Sequence, residues 1–117
     1  MRIIIDLDGT ICDEKNFFQR PLAKIKKGAK KFINNLKKKN FTIIIYSARS
    51  WNEYEMTRNW LVKNKIKYDQ LVLGKPVGDL WIDDRAINFK DWKKVEKKFT
   101  PSIFGCIRDI YIFLKTF

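Results

Sequence analysis

The sequence predicts an α/β fold: a three-layer, Rossmann-like α/β/α arrangement around a central, mainly parallel sheet. Three observations carry this. Short β-branched runs such as Ile3-Ile4-Ile5 and Ile43-Ile44-Ile45 lack polar alternation, the pattern of strands buried on both faces. Segments between the runs place apolar residues at helical spacing. Strands alternating with helices imply right-handed crossovers and parallel pairing.

The elements follow in order. Residues 2–6 form the first strand, and Gly9 supplies the turn after it. A polar loop over 13–20 ends at Pro21. Residues 22–39 carry Leu22, Ile25, Ala29, Phe32, Ile33 and Leu36 as one helical stripe with lysines opposite. Gly28 inside that stripe costs about 1 kcal/mol relative to Ala and marks a kink. Residues 41–46 are a second buried strand, stopped by Ser47-Ala48-Arg49-Ser50. A second helix covers 53–65, its stripe being Met56, Trp60, Leu61 and Tyr54. Residues 68–73 are a weaker third strand before Gly74-Lys75-Pro76. Residues 79–82 are a fourth strand stopped by Asp83-Asp84-Arg85, and 91–99 a third helix ended by Thr100-Pro101. The apolar, aromatic tail over 103–117 is expected to pack on the sheet or to mediate a subunit contact.

The chain has 117 residues, 45% of them hydrophobic, with nine Phe and four Trp. One domain over 1–117 is expected, with 102–117 as a C-terminal extension, and such a composition fills a core. The absence of histidine excludes Ser-His-Asp and Cys-His pairs and every His-ligated metal. Cys12 and Cys106 alone cannot build an all-cysteine zinc site or a disulfide framework. Catalysis must then use carboxylates, lysines, hydroxyls or an oxygen-ligated metal. Met1-Arg2 leads straight into an apolar run without a leader pattern, and no stretch is long enough to span a bilayer. A soluble, cytoplasmic protein without a membrane partner is expected.

The carboxyl ends of parallel strands share one edge, where ligands bind. That edge would collect Asp6 and Asp8 after the first strand and Ser47 after the second. Lys75 after the third strand and Asp83 with Asp84 after the fourth would join them. Unit charges about 4 Å apart interact by about 4 kcal/mol at an effective dielectric of 20, so such acids need raised pKa values or a cation. Oxygen donors favour a hard ion, and Mg²⁺ binds through one or two carboxylates plus a substrate phosphate. A carboxylate is then the strongest nucleophile on hand.

Ile3-Ile4-Ile5-Asp6-Leu7-Asp8-Gly9-Thr10 resembles the first motif of the haloacid dehalogenase superfamily of phosphotransferases. Ser47 resembles its second motif, Lys75 its third and Trp81-Ile82-Asp83-Asp84 its fourth, in order over residues 2–90. The resemblance implies that Asp6 attacks phosphorus and forms an aspartyl-phosphate. It makes Asp8 the acid that protonates the leaving oxygen and the base that then deprotonates water. It gives Mg²⁺ to the Asp6 carboxylate, the Asp8 carbonyl and Asp83, with Asp84 behind them or on a metal-bound water. Ser47 would hydrogen-bond a phosphoryl oxygen and Lys75 neutralise charge. Gly9, Thr10, Ala48 and Arg49 would line the substrate.

Several residues have competing structural roles. Ser47 is also a fit helix-cap hydroxyl. Arg49 suits either a substrate oxyanion or a salt bridge to Glu53 or Asp84. Arg85 suits a neighbouring acid better than substrate, and Cys12 a small core or loop position better than a reactive thiol.

Neither gap between motifs has room for a folded cap, so the resemblance implies an open, capless site. The second half (Lys67-Tyr68-Asp69, Gly74-Lys75-Pro76, Trp81 to Ile87) is similar to capless phosphatases of capsule and lipopolysaccharide biosynthesis. That implies a sugar phosphate or related small phosphorylated molecule as substrate. Ser47-Ala48-Arg49 and the Met56 to Trp60 helix are also similar to polynucleotide 3′-phosphatases, which makes nucleic-acid ends the alternative substrate. The net charge is +12, and nine Lys/Arg fall between Arg20 and Lys39, a footprint that nucleic acid would fit. The cations are 19 Lys to 6 Arg, and an AT-rich coding bias accounts for that balance as well. A non-catalytic binding module is the third reading, and a monomer or small homo-oligomer the expected state.

Overall fold

A computed structural model describes residues 1–99. The prediction for the 103–117 tail lies outside them. Strand β1 (Arg2–Ile5), β2 (Thr42–Tyr46) and β3 (Gln70–Val72) form one parallel sheet in the order β1-β2-β3. Helices α1 (Ala29–Lys38) and α2 (Tyr54–Lys63) cross between them, and a further helix, α3, runs over 92–99. The architecture is the expected α/β one, and the described residues contain no inserted cap.

The sheet register explains which isoleucines are core. Ile3 pairs with Ile43 and Ile5 with Ile45, and Ile45 pairs with Leu71. Ile5, Ile43, Ile45 and Leu71 are buried with Ile33 and Leu36 of α1 and Trp60 and Leu61 of α2. Ile4, on the opposite face, is 63% exposed. Strand β1 therefore alternates, where its unbroken apolar run predicts burial on both faces. Side chains alternate across a strand whatever their chemistry, and the described residues cover only one face at Ile4.

Helix α1 starts seven residues later than the stripe predicts. Phe17–Leu22 form a short 3-10 helix, and the chain around Ile25 is held by its neighbours: Cys12 bridges Ile25 antiparallel, and Lys26 N–H donates to the Ile11 carbonyl at 2.8 Å. Leu22, counted in the stripe, is 75% exposed. Gly28 is the N-cap with φ of 88°, so the predicted kink is in fact the helix boundary. A Cβ there would meet the Trp92 Cβ at 3.1 Å. Left-handed backbone costs a non-glycine residue about 1–2 kcal/mol. Gly28→Ala is expected to lower the melting temperature by roughly 4–8 °C per kcal/mol lost, read in a thermal melt.

Asp69 ties the sheet to α1. Its carboxylate accepts from Ile43 N–H at 2.7 Å and from Lys37 Nζ at 2.6 Å. The Lys37 hydrogen bond first, and the Ile43 amide next, hold this carboxyl below its ordinary range.

No fourth strand forms over 79–82. Leu80, Trp81 and Ile82 are 77%, 55% and 91% exposed, and the sheet among the described residues holds β1, β2 and β3 alone. The run has only three apolar residues between Asp79 and Asp83. Arg85 N–H donates to Asp83 Oδ1 at 2.8 Å, closing a local turn that competes with extension. Strand preference expresses packing against neighbours, and among the described residues this run has no strand paired with it.

Candidate active site

Parallel pairing brings the carboxyl ends of three strands to one edge. Asp6 follows β1, Ser47 follows β2, and Lys75 stands three residues beyond β3. The ladder continues past the strand ends: Ser47 N–H donates to Val72 carbonyl, and Lys75 N–H donates to Ser47 carbonyl, each at 2.9 Å. Gly74 N–H donates to Arg49 carbonyl at 2.9 Å, with Gly74 at φ of 76° to make the approach.

That docking sets Lys75 beside Asp6, with Nζ 3.5 Å from Oδ1. The ammonium also stands 5.8 Å from the Tyr46 ring centroid and 5.1 Å from that of Trp81. Aromatic faces attract the cation and narrow its range of positions. The second Asp6 oxygen accepts from Thr10 Oγ1 at 3.3 Å. Both contacts to Asp6 are long, and its side chain is 37% exposed. The carboxylate keeps lone pairs free toward solvent, as a nucleophile or a ligand of a hard cation requires.

Asp8 has the opposite environment. Arg49 Nε donates to Oδ2 at 2.9 Å and Nη2 to Oδ1 at 2.7 Å, a bidentate fork. Arg49 Nη1 donates to Thr57 Oγ1 of α2 at 3.0 Å. The Arg49 side chain is fully buried and that of Asp8 is 18% exposed. Burial opposes the guanidinium charge, but the hydrogen bonds and charge of Asp8 outweigh it and push Arg49 above its ordinary value. Cys12 lies underneath, its Sγ 3.8 Å from Asp8 Oδ1. Burial first and Asp8 next push this thiol up to about 12, so it is a core residue rather than a nucleophile.

The loop over 7–12 is closed on itself. Leu7 carbonyl accepts from the N–H groups of Thr10, Ile11 and Cys12, and Gly9 N–H donates to the Cys12 carbonyl. Gly9 and Thr10 thus spend their amides inside the loop, and Gly9 makes the turn with φ of 81°. Ser47 is fully buried and accepts from Arg49 N–H at 3.1 Å. A hydroxyl that accepts there retains its own proton to donate. The helix-cap role belongs instead to Ser50, which forms a capping box with Glu53. Ala48 is exposed between the two buried residues.

The structure therefore brings together Asp6, Asp8, Thr10, Ser47, Arg49 and Lys75. It does not bring in the fourth motif. Trp81 reaches Lys75, but Asp83 and Asp84 are exposed, and Asp84 has Arg85 at 4.0 Å. Among the described residues no three acidic or thiol side chains form a cation site. Arg49 takes Asp8 as its partner, where the sequence suggests Glu53 or Asp84. Glu53 pairs with Arg20 at 2.5 Å. Two signals for this were readable: Ser50-x-x-Glu53 is a capping-box pattern, and Thr57 lies on the turn of α2 that follows it. The Arg49–Asp8 pairing itself leaves no local pattern, since the partners are 41 residues apart.

The model of the haloacid dehalogenase-like hydrolases matches residues 3–72, over half of the chain. The chain belongs to that family. The resemblance drawn from the Asp6-to-Thr10 motif is thereby borne out. A target protein from Vibrio cholerae has a similar structure, with a TM-score of 0.65 at 24% identity, covering 84% of this chain and 95% of that one. A chain of the Pnkp1/Rnl/Hen1 RNA repair complex aligns with a TM-score of 0.54 at 21% identity, over 84% of this chain and 30% of its own. A second structure of the Pnkp1/Rnl/Hen1 complex gives 0.56 at 23% identity, over 87% and 34%. This chain therefore spans about a third of those partners. No curated protein matches it. These likenesses show a haloacid dehalogenase-like fold. No helix among the described residues is long and apolar enough to cross a membrane.

Proposed function

We propose that this hydrolase is a phosphomonoesterase working through Asp6, on a sugar phosphate or related small phosphorylated molecule. The observation that carries the reading is the contrast between its two carboxylates. Asp6 is open with long contacts, and Asp8 is clamped two residues away. One is suited to attack and the other to carry a proton.

In the first half-reaction an Asp6 oxygen bonds to phosphorus as the bond to the leaving oxygen breaks. Asp8, having taken a proton from solvent ahead of this step, gives it to that oxygen. In the second half-reaction water attacks the aspartyl-phosphate, Asp8 takes the water proton, and Asp6 is restored. Ser47 donates its hydroxyl to a phosphoryl oxygen, and Lys75 offsets the charge gathered between Asp6 and the phosphoryl group. Asp6 and the Asp8 carbonyl fit the hard donor set of Mg²⁺, which needs only one or two carboxylates beside the phosphate. Asp83 would join by leaving its exposed position. When bound, the ion supplies charge neutralisation at the phosphoryl oxygens.

Steady turnover of p-nitrophenyl phosphate with Mg²⁺, abolished by EDTA and restored by excess Mg²⁺, is the expected result. Turnover indifferent to EDTA removes the metal from the reading, and no turnover on any phosphomonoester removes the reading itself.

A second reading, a polynucleotide 3′-phosphatase, has one structural observation in its favour. A groove of about 240 Å³ is lined by Lys26, Lys27, Phe89, Lys90, Asp91 and Trp92, and Trp92 donates to the Thr10 carbonyl at 2.7 Å. Cations beside an aromatic ring suit a single strand. Phosphate release from a 3′-phosphorylated oligonucleotide, falling steeply with salt, would favour it over the small-molecule substrate.

A further inference from the structure

Arg49 has a different task from the substrate contact that its motif suggests. Two of its nitrogens are committed to Asp8 and the third to Thr57. Its N–H groups are spent on these partners, so meeting a substrate oxyanion would break the fork or the bond to Thr57. Its own backbone is pinned as well, the N–H on Ser47 Oγ and the carbonyl on Gly74 N–H. One residue thus joins the end of β2, the loop bearing Lys75, helix α2 and Asp8.

We propose that Arg49, braced by Thr57, is the positioning residue that fixes the direction of the Asp8 carboxylate for proton transfer. The inference rests on the reading of Asp8 as proton carrier. A carboxylate on its own is free to turn about its terminal torsion, where wells are broad. Two parallel hydrogen bonds from a planar guanidinium fix its plane, which a lysine ammonium cannot do. The arrangement has the logic of a base held by a third group. Arg49 itself neither gives nor takes a proton. As phosphorus passes to Asp6, the electron pair of the breaking bond goes to the leaving oxygen and the proton of Asp8 follows it. In hydrolysis the phosphorus–Asp6 bond breaks, its electron pair returns to Asp6, and the water proton goes to Asp8.

The test compares two substrates that need this proton unequally. p-Nitrophenolate leaves without help, whereas the alkoxide of a simple alkyl phosphate must be protonated. In Arg49→Lys, kcat/KM is expected to fall at least about tenfold more on the alkyl phosphate than on p-nitrophenyl phosphate, with KM little changed. Thr57→Val retains the shape of the site and removes the brace. It is expected to show the same leaving-group bias at smaller size, with the melting temperature lowered only by the one buried N–H it leaves unpaired, and it decides the matter if Arg49→Lys does not fold. Equal losses on both substrates, or a loss confined to KM, would overturn the proposal while leaving the phosphatase reading intact. A wild-type protein inactive on both substrates would overturn the phosphatase reading, and the proposal with it.

Discussion

Asp6→Asn is expected to leave the protein folded and to reduce phosphomonoester turnover by about 10³-fold or more, the scale set by loss of an activated nucleophile. An amide oxygen is isosteric with the carboxylate but is a poor nucleophile and carries no charge for Lys75 to meet. The structural cost is small because Asp6 is held loosely. Thr10 Oγ1 at 3.3 Å and Lys75 Nζ at 3.5 Å are its contacts, and a half-exposed ion pair contributes at most about 1 kcal/mol. Rates with p-nitrophenyl phosphate and a thermal melt of the same sample give both readouts. A variant that retains wild-type turnover would exclude Asp6 as the attacking group.

Asp8→Ala is expected to behave differently, losing activity and stability together. It leaves the Arg49 guanidinium, fully buried, without its counter-charge. Breaking a buried pair from one side costs about 3–5 kcal/mol, because the orphaned charge remains in the interior. For a domain of this size that lowers the melting temperature by more than about 10 °C. Removing the charge as well, in Asp8→Ala/Arg49→Met, is expected to restore much of the stability and none of the activity, since neutral packing replaces the pair. Differential scanning fluorimetry on the two variants beside Asp6→Asn resolves the contrast. Equal melting temperatures for Asp6→Asn and Asp8→Ala would show that the Arg49 fork carries no weight in the fold.

The parts of this fold that sequence made legible are those governed by local chemistry. The isoleucine runs at 3–5 and 43–45 identify two strands, and Trp60 with Leu61 identifies the buried side of α2. Asp6, Ser47 and Lys75 stand at strand ends and meet because parallel strands share an edge. The start of α1 was not legible, because the Cys12–Ile25 bridge that ties down the chain ahead of it is a tertiary contact. The same holds for residues 79–82, whose apolar run takes its conformation from what lies beside it. Arg49 was legible beside Ser47 but its fork on Asp8 was not, since its spacing from Ser47 says nothing of Asp8.

The inward-turned amides of residues 9–12 have a consequence for selectivity. A cradle of backbone dipoles would grip any tetrahedral oxyanion in a fixed orientation. On the proposed reading the grip would fall instead to the Ser47 hydroxyl and the Lys75 ammonium, whose long stem is flanked by two rings. On that reading, discrimination among oxyanions would then depend on how well each meets a single cation held between those rings, rather than on a fixed set of backbone dipoles.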